Sequence, residues 1–406
     1  MSDAVRDTSG APDPAPSGDR PTAVLLGARD TVVAAAERLG LDLVLVVDPD
    51  QPRPPDTGAP EIETSWTTSS DELIARLRTF AFPGPVSCFG FGEIGAAVSA
   101  VVNRELGWPG NPPEAPAAFR NKAGLRALVG DRAGLPVRHV LCTVAGELLP
   151  ATDRTGFPCV VKPVDGTGSA GVRYLADRAS AERYAAAADW SGPLLVEEFL
   201  DGTEYSVEAI STAAGHRILA ITEKTTTGAP HFVETGHTLP VRLDPTVEEA
   251  VADLVRATLV AAGHRYGPSH TEVMVTGLGP RLIESHGRPG GDRISDMLLL
   301  ALGEDVFAQT MAAVLGLPDE QPANRSRVSG IRYVTFDRPV ARAMAVSLAV
   351  SLPGVEEVQI TVPAGQPPSS IAQSGDRHGF VLAVADTRDE LDHHLEVAVR
   401  TLTAGS

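Results

Sequence analysis

Residues 160–171, VVKPVDGTGSAG, give the strongest local signal in this chain. A short apolar run ends at Lys162, a glycine-rich loop follows it, and a second apolar run begins at Val172. Small residues let backbone N–H groups surround an anion, and the lysine adds a fixed positive charge. The loop lacks the Gly-Lys-Ser/Thr ending of a Walker A motif. The stretch predicts an anion site, with a plain glycine-rich hairpin as the alternative.

The region before this stretch alternates predicted strands with predicted helices. Apolar runs indicate strands at 23–26, 43–47 and 86–89, and helical stretches lie at 31–39, 71–80 and 94–104. Strands that alternate with helices predict a parallel sheet, so we expect a small Rossmann-like unit here. A dinucleotide site is not expected, because Gly27 stands alone where GxGxxG needs three glycines.

A chain of 406 residues is long enough for two or three packed domains. The first twenty residues are rich in Pro, Gly, Ser and Asp and predict a disordered tail. The Gly/Pro-rich segment 107–116 marks a boundary, and the region from 329 onward resembles a small α+β unit. We therefore predict a tail at 1–20 and domains at 21–110, 111–320 and 321–406.

Composition excludes several classes of protein. A formal charge of −18 disfavours nucleic-acid binding, because the chain would repel phosphates. No apolar run of eighteen residues and no secretory signal is present, so we expect neither membrane association nor export. The three cysteines form no CxxC pair, which favours a reducing cytosol over disulfides or zinc. Arginine outnumbers lysine, so each lysine is informative.

The most informative pair of residues is Glu272 and Glu284. Residues 270–276 and 281–286 predict two strands joined by the turn Gly277-Leu278-Gly279-Pro280, which places the glutamates nearly opposite each other. At ~5 Å and an effective dielectric of ~20 their repulsion is ~3 kcal/mol. A shared proton, a nearby cation or Mg²⁺ must offset it. A register slip that exposes both glutamates to water is the alternative.

Polar side chains in two further segments could hold a substrate. Arg288 follows the second glutamate by four residues in SHGRPGGD, where a guanidinium and the N–H groups of Gly290 and Gly291 could bind a carboxylate or an oxyanion. Glu234 and His237 share a loop-like segment and could bind an ammonium group, although a plain polar loop has the same composition. Zinc is the weaker interpretation there, because no second histidine follows at helical spacing.

Taken in order, these segments resemble the ATP-grasp superfamily, and within it the carboxylate–amine ligases that join amino acids. The resemblance covers roughly residues 90 to 402 and rests on the order and spacing of five motifs. It implies a Rossmann-like N-terminal domain, an ATP-grasp domain of two α+β lobes, and a small C-terminal α+β subdomain.

The resemblance also assigns ATP ligands. The implied positions are Lys122, Lys162, Gly168, Ser169, Glu197, Glu198, Leu200, Glu204 and Ile283. The two lysines would contact the phosphates, and the 166–171 loop would close over them as a mobile lid. Glu197, the backbone from 198 to 200 and the side chain of Ile283 would hold adenine, and Glu204 would take the ribose.

The remaining implied roles concern the metal and the reaction. Glu272 and Glu284 would bind Mg²⁺, with Mn²⁺ as an alternative, while Arg288 would act as the catalytic residue that stabilises the acyl phosphate. The substrate positions are Glu234, His237, Arg288, Gly290 and Gly291. One departure is His286, which stands where the family often has Asn as a further metal contact. A neutral imidazole can ligate Mg²⁺, so His286 is counted with the metal positions. Oxygen ligands are preferred, so the number of metal ions stays open.

The implied activity is ATP-dependent joining of a carboxylate to an amine through an acyl phosphate, with release of ADP and phosphate. The partners would be ATP and small-molecule carboxylates and amines, and a homodimer stays open. The alternatives are another ATP-grasp enzyme, such as a purine-type carboxylase or a carboxylate–thiol ligase, and a non-catalytic ATP-binding module.

Overall fold

The structure is a computed structural model that describes residues 19–130, 136–165, 171–187, 190, 192–228, 233–318, 322–323, 325–338, 342–371 and 373–403. Most of the predicted tail lies outside these residues, as do Gly168, Ser169 and the rest of the predicted lid except Gly171. Contacts divide the chain into two units, one formed by Met1–Pro113 with Phe307–Glu320 and one by Glu114–Val306 with Gln321–Ser406.

The N-terminal unit contains a parallel sheet. Its elements are β1 (Thr22–Leu26), α1 (Asp30–Arg38), β2 (Asp42–Val47), β3 (Glu61–Glu63), α2 (Asp71–Leu77), β4 (Val86–Gly90) and α3 (Glu93–Leu106). The sheet order is β3-β2-β1-β4, and all three pairings are parallel. Every residue of β1 is buried, as expected for the central strand of a sheet covered on both faces. The predicted parallel sheet is confirmed.

A small antiparallel sheet forms one part of the second unit. Its elements are α4 (Glu114–Arg120), α5 (Lys122–Val129), β5 (His139–Cys142), α6 (Leu148–Thr155), β6 (Cys159–Pro163), β7 (Arg173–Leu175), α7 (Arg178–Ala187) and β8 (Leu194–Glu198). The order is β5-β8-β6-β7. Helices α6 and α7 pack on it through a core that includes Leu148, Val161 and Val196.

An eight-stranded antiparallel sheet forms the rest of the second unit. Its elements are β9 (Gly202–Thr212), β10 (Gly215–Thr226), β11 (Glu234–Leu239), α8 (Pro245–Ala262), β12 (Gly267–Thr276), β13 (Gly279–His286), α9 (Ile294–Leu302), β14 (Val328–Tyr333), α11 (Arg342–Val350), β15 (Val355–Ile360), β16 (Gly379–Ala385) and α12 (Arg388–Thr403). Between α9 and β14 the chain forms α10 (Val306–Leu315), whose residues from Phe307 onward group with the N-terminal unit. The order is β13-β12-β9-β10-β11-β14-β16-β15. The C-terminal strands therefore extend the same sheet, because β14 pairs with β11.

The grouping of residues differs from the predicted domain ranges at one boundary. Residues 307–320 group with the N-terminal unit, and the region from 321 onward groups with Glu114–Val306 rather than standing alone. The physical reason is the shared sheet, since Gly236 of β11 pairs with Arg332 of β14. As domain assignments, the four ranges stay predictions.

No single described helix is long and apolar enough to cross a membrane. The pair Ile294–Leu302 and Val306–Leu315 reaches that length and composition only when its two bent halves are taken together. Where the protein is located stays a prediction.

A buried histidine supports the loop that follows β13. A Cβ atom on Gly287 would lie 2.8 Å from the ring of Phe119 and 3.1 Å from Nδ1 of His264, so glycine is needed for this close approach. His264 packs edge-on against Phe119, and its Nε2 lies 3.3 Å from the carbonyl oxygen of Gly267. Burial lowers the pKa of His264 from 6.5 to about 4.

This pKa predicts a pH dependence of stability. Between pH 6.5 and pH 4 the unfolded chain binds a proton at His264, whereas the folded chain does not. Stability is therefore intact above pH 6.5, and about 3 kcal/mol is lost as the pH falls towards 4. We expect urea unfolding of His264→Gln to show a shallower pH profile than the wild type in this window. Parallel profiles for the two proteins would contradict this assignment.

Candidate active site

Acidic and histidine side chains share one face of the eight-stranded sheet. The register places two neighbouring rows across β9, β12 and β13, namely Ser206–Glu272–Glu284 and Glu208–His270–His286. Because side chains alternate between the two faces of a strand, residues two apart on each strand point the same way. The predicted opposition of Glu272 and Glu284 is confirmed by this register.

Two lysines offset the repulsion between these glutamates. The ammonium of Lys224 lies 2.7 Å from Oε1 of Glu272, and that of Lys122 lies 3.1 Å from Oε2 of Glu284. Burial acts to raise the pKa of Glu272, but Lys224 and His270 hold it well below its ordinary value. Burial and Glu272 likewise act to raise the pKa of Glu284, yet His286 and Lys122 lower it to about 2. Both carboxylates are therefore ionised at neutral pH.

The chain contains three lysines in all, and each of them lines one cavity. Lys122 begins α5, where the side chain of Asn121 caps the helix by accepting from the N–H of Gly124. Lys162 lies on β6 and Lys224 on β10. Three distant elements thus bring three ammonium groups to the same place, which is the arrangement that a polyphosphate requires.

Glu197 lines the cavity and pairs with two cations. Its carboxylate is 5% exposed and lies 2.7 Å from Nε of Arg126 and 2.6 Å from Nζ of Lys162. Although burial acts to raise the pKa of Glu197, these two cations lower it to about 2. These contacts place Glu197 to orient Lys162, and its contact with adenine stays a prediction.

The other predicted nucleotide residues also line the cavity. Leu200, Ile283, Val160, Phe199 and Met274 supply apolar surface for a flat ring. The carbonyl oxygen of Ile283 accepts a hydrogen bond from Nη2 of Arg126 at 2.7 Å.

Glu198 and Glu204 border the same cavity with their carboxylates already paired. Glu198 is paired with Arg138 at 3.0 Å and with Arg281 at 3.4 Å. Glu204 is paired with Lys224 through Oε1, and its contact with a ribose stays a prediction.

The donor set fits a divalent cation shared with a nucleotide. Among the described residues that line the cavity, four side chains are cationic and six are anionic, an excess of two negative charges. Glu272 and Glu284 supply two hard oxygen donors, and Mg²⁺ commonly takes one or two protein carboxylates together with phosphates and water. Within the described part of the chain, no three His, Cys, Asp or Glu side chains form a ligand group.

His286 lies beside Glu284, and its role as a metal contact stays a prediction. Its Nε2 lies 3.2 Å from Oε1 of Glu284, which places it as a hydrogen-bond partner of that carboxylate. His270 occupies the same row of the sheet, with Nδ1 3.0 Å from Oε2 of buried Glu208 and Nε2 3.6 Å from Oε1 of Glu272. Both histidines are thus placed to orient the two glutamates, as outer partners of metal ligands often do.

Asp292 is a second acidic residue that accepts several hydrogen bonds. Its Oδ2 lies 2.9 Å from Nε2 of His237, and Arg377 binds both of its oxygens, at 2.6 and 2.8 Å. Tyr333 also bonds to Asp292, and the Arg377 guanidinium lies over the Tyr333 ring at 3.5 Å from its centre. Although burial acts to raise it, His237 and Arg377 hold the pKa of Asp292 below its ordinary value.

Backbone geometry marks the same place. Asp292 and Arg293 both have positive φ, at 53° and 64°. Such conformations are unfavourable for residues other than glycine and tend to occur at functional sites.

The predicted substrate residues are only partly brought together. Glu234 accepts a hydrogen bond from Ser374, and its Oε1 lies 3.9 Å from Nζ of Lys224. Arg288 is half-buried and donates to the carbonyl oxygen of Pro289 at 2.9 Å, and it is not among the described lining residues of either cavity. A Cβ atom on Gly290 would lie 2.8 Å from Nδ1 of His270, whereas Gly291 faces open space.

A second cavity of about 500 Å³ adjoins Glu234. The described residues that line it are Thr227, Val233, Glu234, Thr235, Tyr333, Val334, Thr335, Phe336, Asp337, Pro368, Ser369, Ser370, Ile371, Arg377 and His378. Of all described lining residues, Glu234 alone belongs to both cavities. One carboxylate therefore stands at the border between them.

Sequence reasoning missed several residues of this site. Lys224 had a usable signal, since it is the third of three lysines in the chain. Asp292 ends the SHGRPGGD segment, and its acid had no assigned role. Arg126, which lies one helical turn after Lys122, had no assigned role, while Arg377 and Tyr333 offered no signal, because they lie far along the chain from their partners.

Comparisons with known proteins agree with this geometry. A model described as "ATP-grasp domain" matches residues 155–296, and one described as "L-amino acid ligase C-terminal domain 2" matches residues 332–404. The crystal structure of an L-amino acid ligase from Bacillus licheniformis superposes with a TM-score of 0.75, covering 95% of this chain and 98% of that one. At 20% identity this match establishes the fold alone.

Sequence relatives extend the comparison. The uncharacterized protein y4rH of Sinorhizobium fredii (strain NBRC 101917 / NGR234) is 30% identical over 359 residues, or 84% of this chain and 73% of that protein. Carnosine synthase 1 of Mus musculus is 27% identical over 62% of this chain, which spans only about a third of that enzyme (33%). The formate-dependent phosphoribosylglycinamide formyltransferase of Burkholderia pseudomallei (strain 668) is 29% identical, over 58% of this chain and 60% of that enzyme.

The fold, the three lysines around a cavity with two opposed glutamates, and both family models point the same way. This chain belongs to the ATP-grasp family of ATP-dependent ligases that form carbon–nitrogen bonds.

Proposed function

We propose that this protein joins the carboxylate of an amino acid to an amine or to a second amino acid, with release of ADP and phosphate. The observation that carries this proposal is the position of Glu234, which borders both the lysine-lined cavity and the second cavity. An activated carboxylate and an incoming amine must meet at such a border. The match to the L-amino acid ligase C-terminal domain and the carnosine synthase relatives support the same substrate class.

The reaction proceeds in two steps. A carboxylate oxygen attacks the γ-phosphorus of ATP. The bond between the γ-phosphorus and the oxygen that bridges to the β-phosphate breaks, and the products are an acyl phosphate and ADP. The amine nitrogen then attacks the acyl carbon, phosphate leaves with the C–O electron pair, and one N–H proton passes to the phosphate or to water. The task of the protein is mainly to position the reactants and to neutralise charge.

The described side chains divide these tasks. Lys122 and Lys162 would neutralise phosphate oxygens, and Glu197 keeps Lys162 in position. Glu272 and Glu284 would hold Mg²⁺, which supplies Lewis-acid charge at the transferred phosphoryl group when bound. Glu234 would bind the substrate ammonium, and Arg288 remains the proposed stabiliser of the acyl oxyanion. Bound ATP would place its adenine against Leu200 and Ile283.

A purine-type reaction is the second candidate, because formyltransferases that act in phosphoribosylglycinamide chemistry are among the relatives. A phosphoribosyl group would need cations beyond those that hold ATP. Of the described residues lining the second cavity, the one cation is Arg377, and Asp292 binds both of its terminal nitrogens. This arrangement favours the amino-acid ligase.

The test is turnover with MgATP and pooled amino acids, in which nucleotides, phosphate and new masses are measured together. ADP and phosphate with a product equal to two substrates minus water are expected. AMP and pyrophosphate would overturn the acyl-phosphate route. ADP formation that requires a phosphoribosyl amine would favour the second candidate.

The three lysines allow a direct test of nucleotide binding. Reductive methylation with ¹³C-formaldehyde should give three side-chain signals in addition to the N-terminal amine. Because Lys122 and Lys162 line the cavity as the proposed phosphate contacts, a non-hydrolysable ATP analogue with Mg²⁺ should protect both from methylation by about tenfold or more, whereas buried Lys224 should react slowly with or without it. The N-terminal amine serves as the internal control. Protection of one lysine alone, or of none, would contradict the proposed phosphate site.

A further inference from the structure

The second cavity carries a carboxylate at the end that borders the lysine-lined cavity. Its described lining includes the carboxylates of Glu234 and Asp337, and Glu234 is the one shared with the lysine-lined cavity. The Ser374 hydroxyl holds one oxygen of Glu234, and the other lies 3.9 Å from the Lys224 ammonium. A ligand cation that enters from the second cavity would therefore meet Glu234 beside the reacting groups.

The same cavity has no uncommitted cation among its described lining residues. Arg377 gives both terminal nitrogens to Asp292 and stacks on Tyr333. His378 adds no charge, because its Nδ1 accepts from the backbone N–H of Phe336 at 3.0 Å and so carries no proton. Its Nε2 then donates to the carbonyl oxygen of Ser369 at 2.8 Å. Among the described lining residues, a ligand carboxylate would find only a guanidinium that is already paired with Asp292, and it would face Asp337.

The rest of the described wall combines aromatic and aliphatic side chains with the hydroxyl groups of threonines and serines. Phe336 and His378 stack with an interplanar angle of 10°, and the Tyr333 ring lies along the same strand end. Val233, Val334, Pro368 and Ile371 add aliphatic surface. A cavity of about 500 Å³ with such a lining suits an apolar body of drug-like size that carries a few polar groups.

We propose that the second cavity binds the amine substrate, and that this amine carries an aromatic or apolar body and no carboxylate beside its nitrogen. The ammonium rests on Glu234, and the body lies against Tyr333, Phe336 and Ile371. This inference rests on the proposed ligase function and narrows its second substrate from amino acids in general to amines that lack the α-carboxylate.

The first test compares two matched probes that differ by one carboxylate. Binding of phenethylamine and of L-phenylalanine to the full chain is measured by calorimetry with the Mg²⁺-bound ATP analogue present. Phenethylamine is expected to bind at least about tenfold more tightly, because its ammonium gains a charge-assisted hydrogen bond and it has no carboxylate to bury unpaired. Equal affinity, or tighter binding of L-phenylalanine, would overturn the proposal.

Two variants sharpen this test. Glu234→Gln should weaken the binding of phenethylamine by about tenfold, since a neutral amide replaces the carboxylate. Thr335→Arg places a cation on an exposed position of the lining. It should therefore strengthen the binding of L-phenylalanine by about tenfold and weaken the binding of phenethylamine. Thr31→Arg, on an exposed threonine of α1, is the matched control and should change neither. Unchanged preference in Thr335→Arg would count against the cavity as the binding site.

Turnover separates this inference from the proposed function. With pooled amino acids as carboxylate donors, ADP formation should be faster with phenethylamine than with L-phenylalanine as acceptor. ADP formation with the opposite preference would overturn the inference and leave the ligase function standing. No ADP with any donor, together with selective phenethylamine binding, would overturn the ligase function while supporting the cavity as an amine site.

Discussion

Glu284→Gln is expected to lower the rate of ADP formation by about a thousandfold or more. Glu284 lies opposite Glu272 on the neighbouring strand, and together they are the proposed magnesium ligands. The amide has the same shape as the carboxylate and can still accept from Lys122, so folding should be preserved. What is lost is one hard, charged oxygen donor, without which Mg²⁺ is not held at the transferred phosphoryl group.

The dependence of binding on Mg²⁺ provides a second measurement. In the wild type, ATP should bind much more tightly with Mg²⁺ than without it, because the cavity lining carries an excess of negative charge. In Glu284→Gln that difference should shrink, since metal-free ATP meets less repulsion and metal-bound ATP loses a ligand. Glu249→Gln, on an exposed side chain of α8, is the control and should behave as wild type. Normal turnover in Glu284→Gln would remove the metal assignment.

Much of the fold followed from local patterns. The 270–286 hairpin was predicted in register because a Gly-Leu-Gly-Pro turn fixes which residues of its two strands face each other. The parallel sheet of the N-terminal unit followed from short apolar runs that alternate with helices. The extension of the large sheet by β14 and β16 did not follow, because pairing with β11 joins residues about 95 positions apart. Nothing in a local pattern specifies such a partner.

The site shows the same limit at the level of side chains. The sequence identified Lys162 and Glu197, but not that they bind each other, which depends on the register of β6 against β8. That contact makes Glu197 a partner that orients Lys162, while its nucleotide contact stays a prediction. Asp292 and Arg377 are 85 residues apart, and their pairing makes part of the predicted C-terminal subdomain a wall of the second cavity. Such charge pairs become visible only when the fold has brought distant strands together.

Lys224→Met is expected to destabilise the protein by about 3–5 kcal/mol at neutral pH. The Lys224 ammonium is 4% exposed and contacts Glu204 and Glu272, with Glu234 at 3.9 Å. Removing it leaves three carboxylates near one another without their common counter-ion. Lys224→Arg keeps the charge and is the matched control, with a much smaller loss. The measurement is urea unfolding of both variants and the wild type.

The pH dependence of this loss has a definite sign. With Lys224 present, the pKa of Glu272 lies well below its ordinary value, so this stabilisation is present at neutral pH and is lost only in acid. Without Lys224, repulsion and burial raise the carboxylate pKa values, and protonation relieves the strain as the pH falls. The difference between wild type and Lys224→Met should therefore be largest near pH 7 and shrink below about pH 5. A difference that is constant with pH would mean that packing, not charge, explains the loss.

The effect of Mg²⁺ on stability tests whether Lys224 and the metal ion occupy neighbouring positions at Glu272. If Glu272 binds both the ammonium and Mg²⁺, the ion should compensate for the missing charge, so millimolar Mg²⁺ should stabilise Lys224→Met more than the wild type. In the double variant Lys224→Met/Glu234→Gln, one of the three carboxylates is neutral, and part of the lost stability should return without metal. An equal response of both proteins to Mg²⁺ would place the metal away from Glu272, and the lysine would then serve only to hold the acidic cluster together.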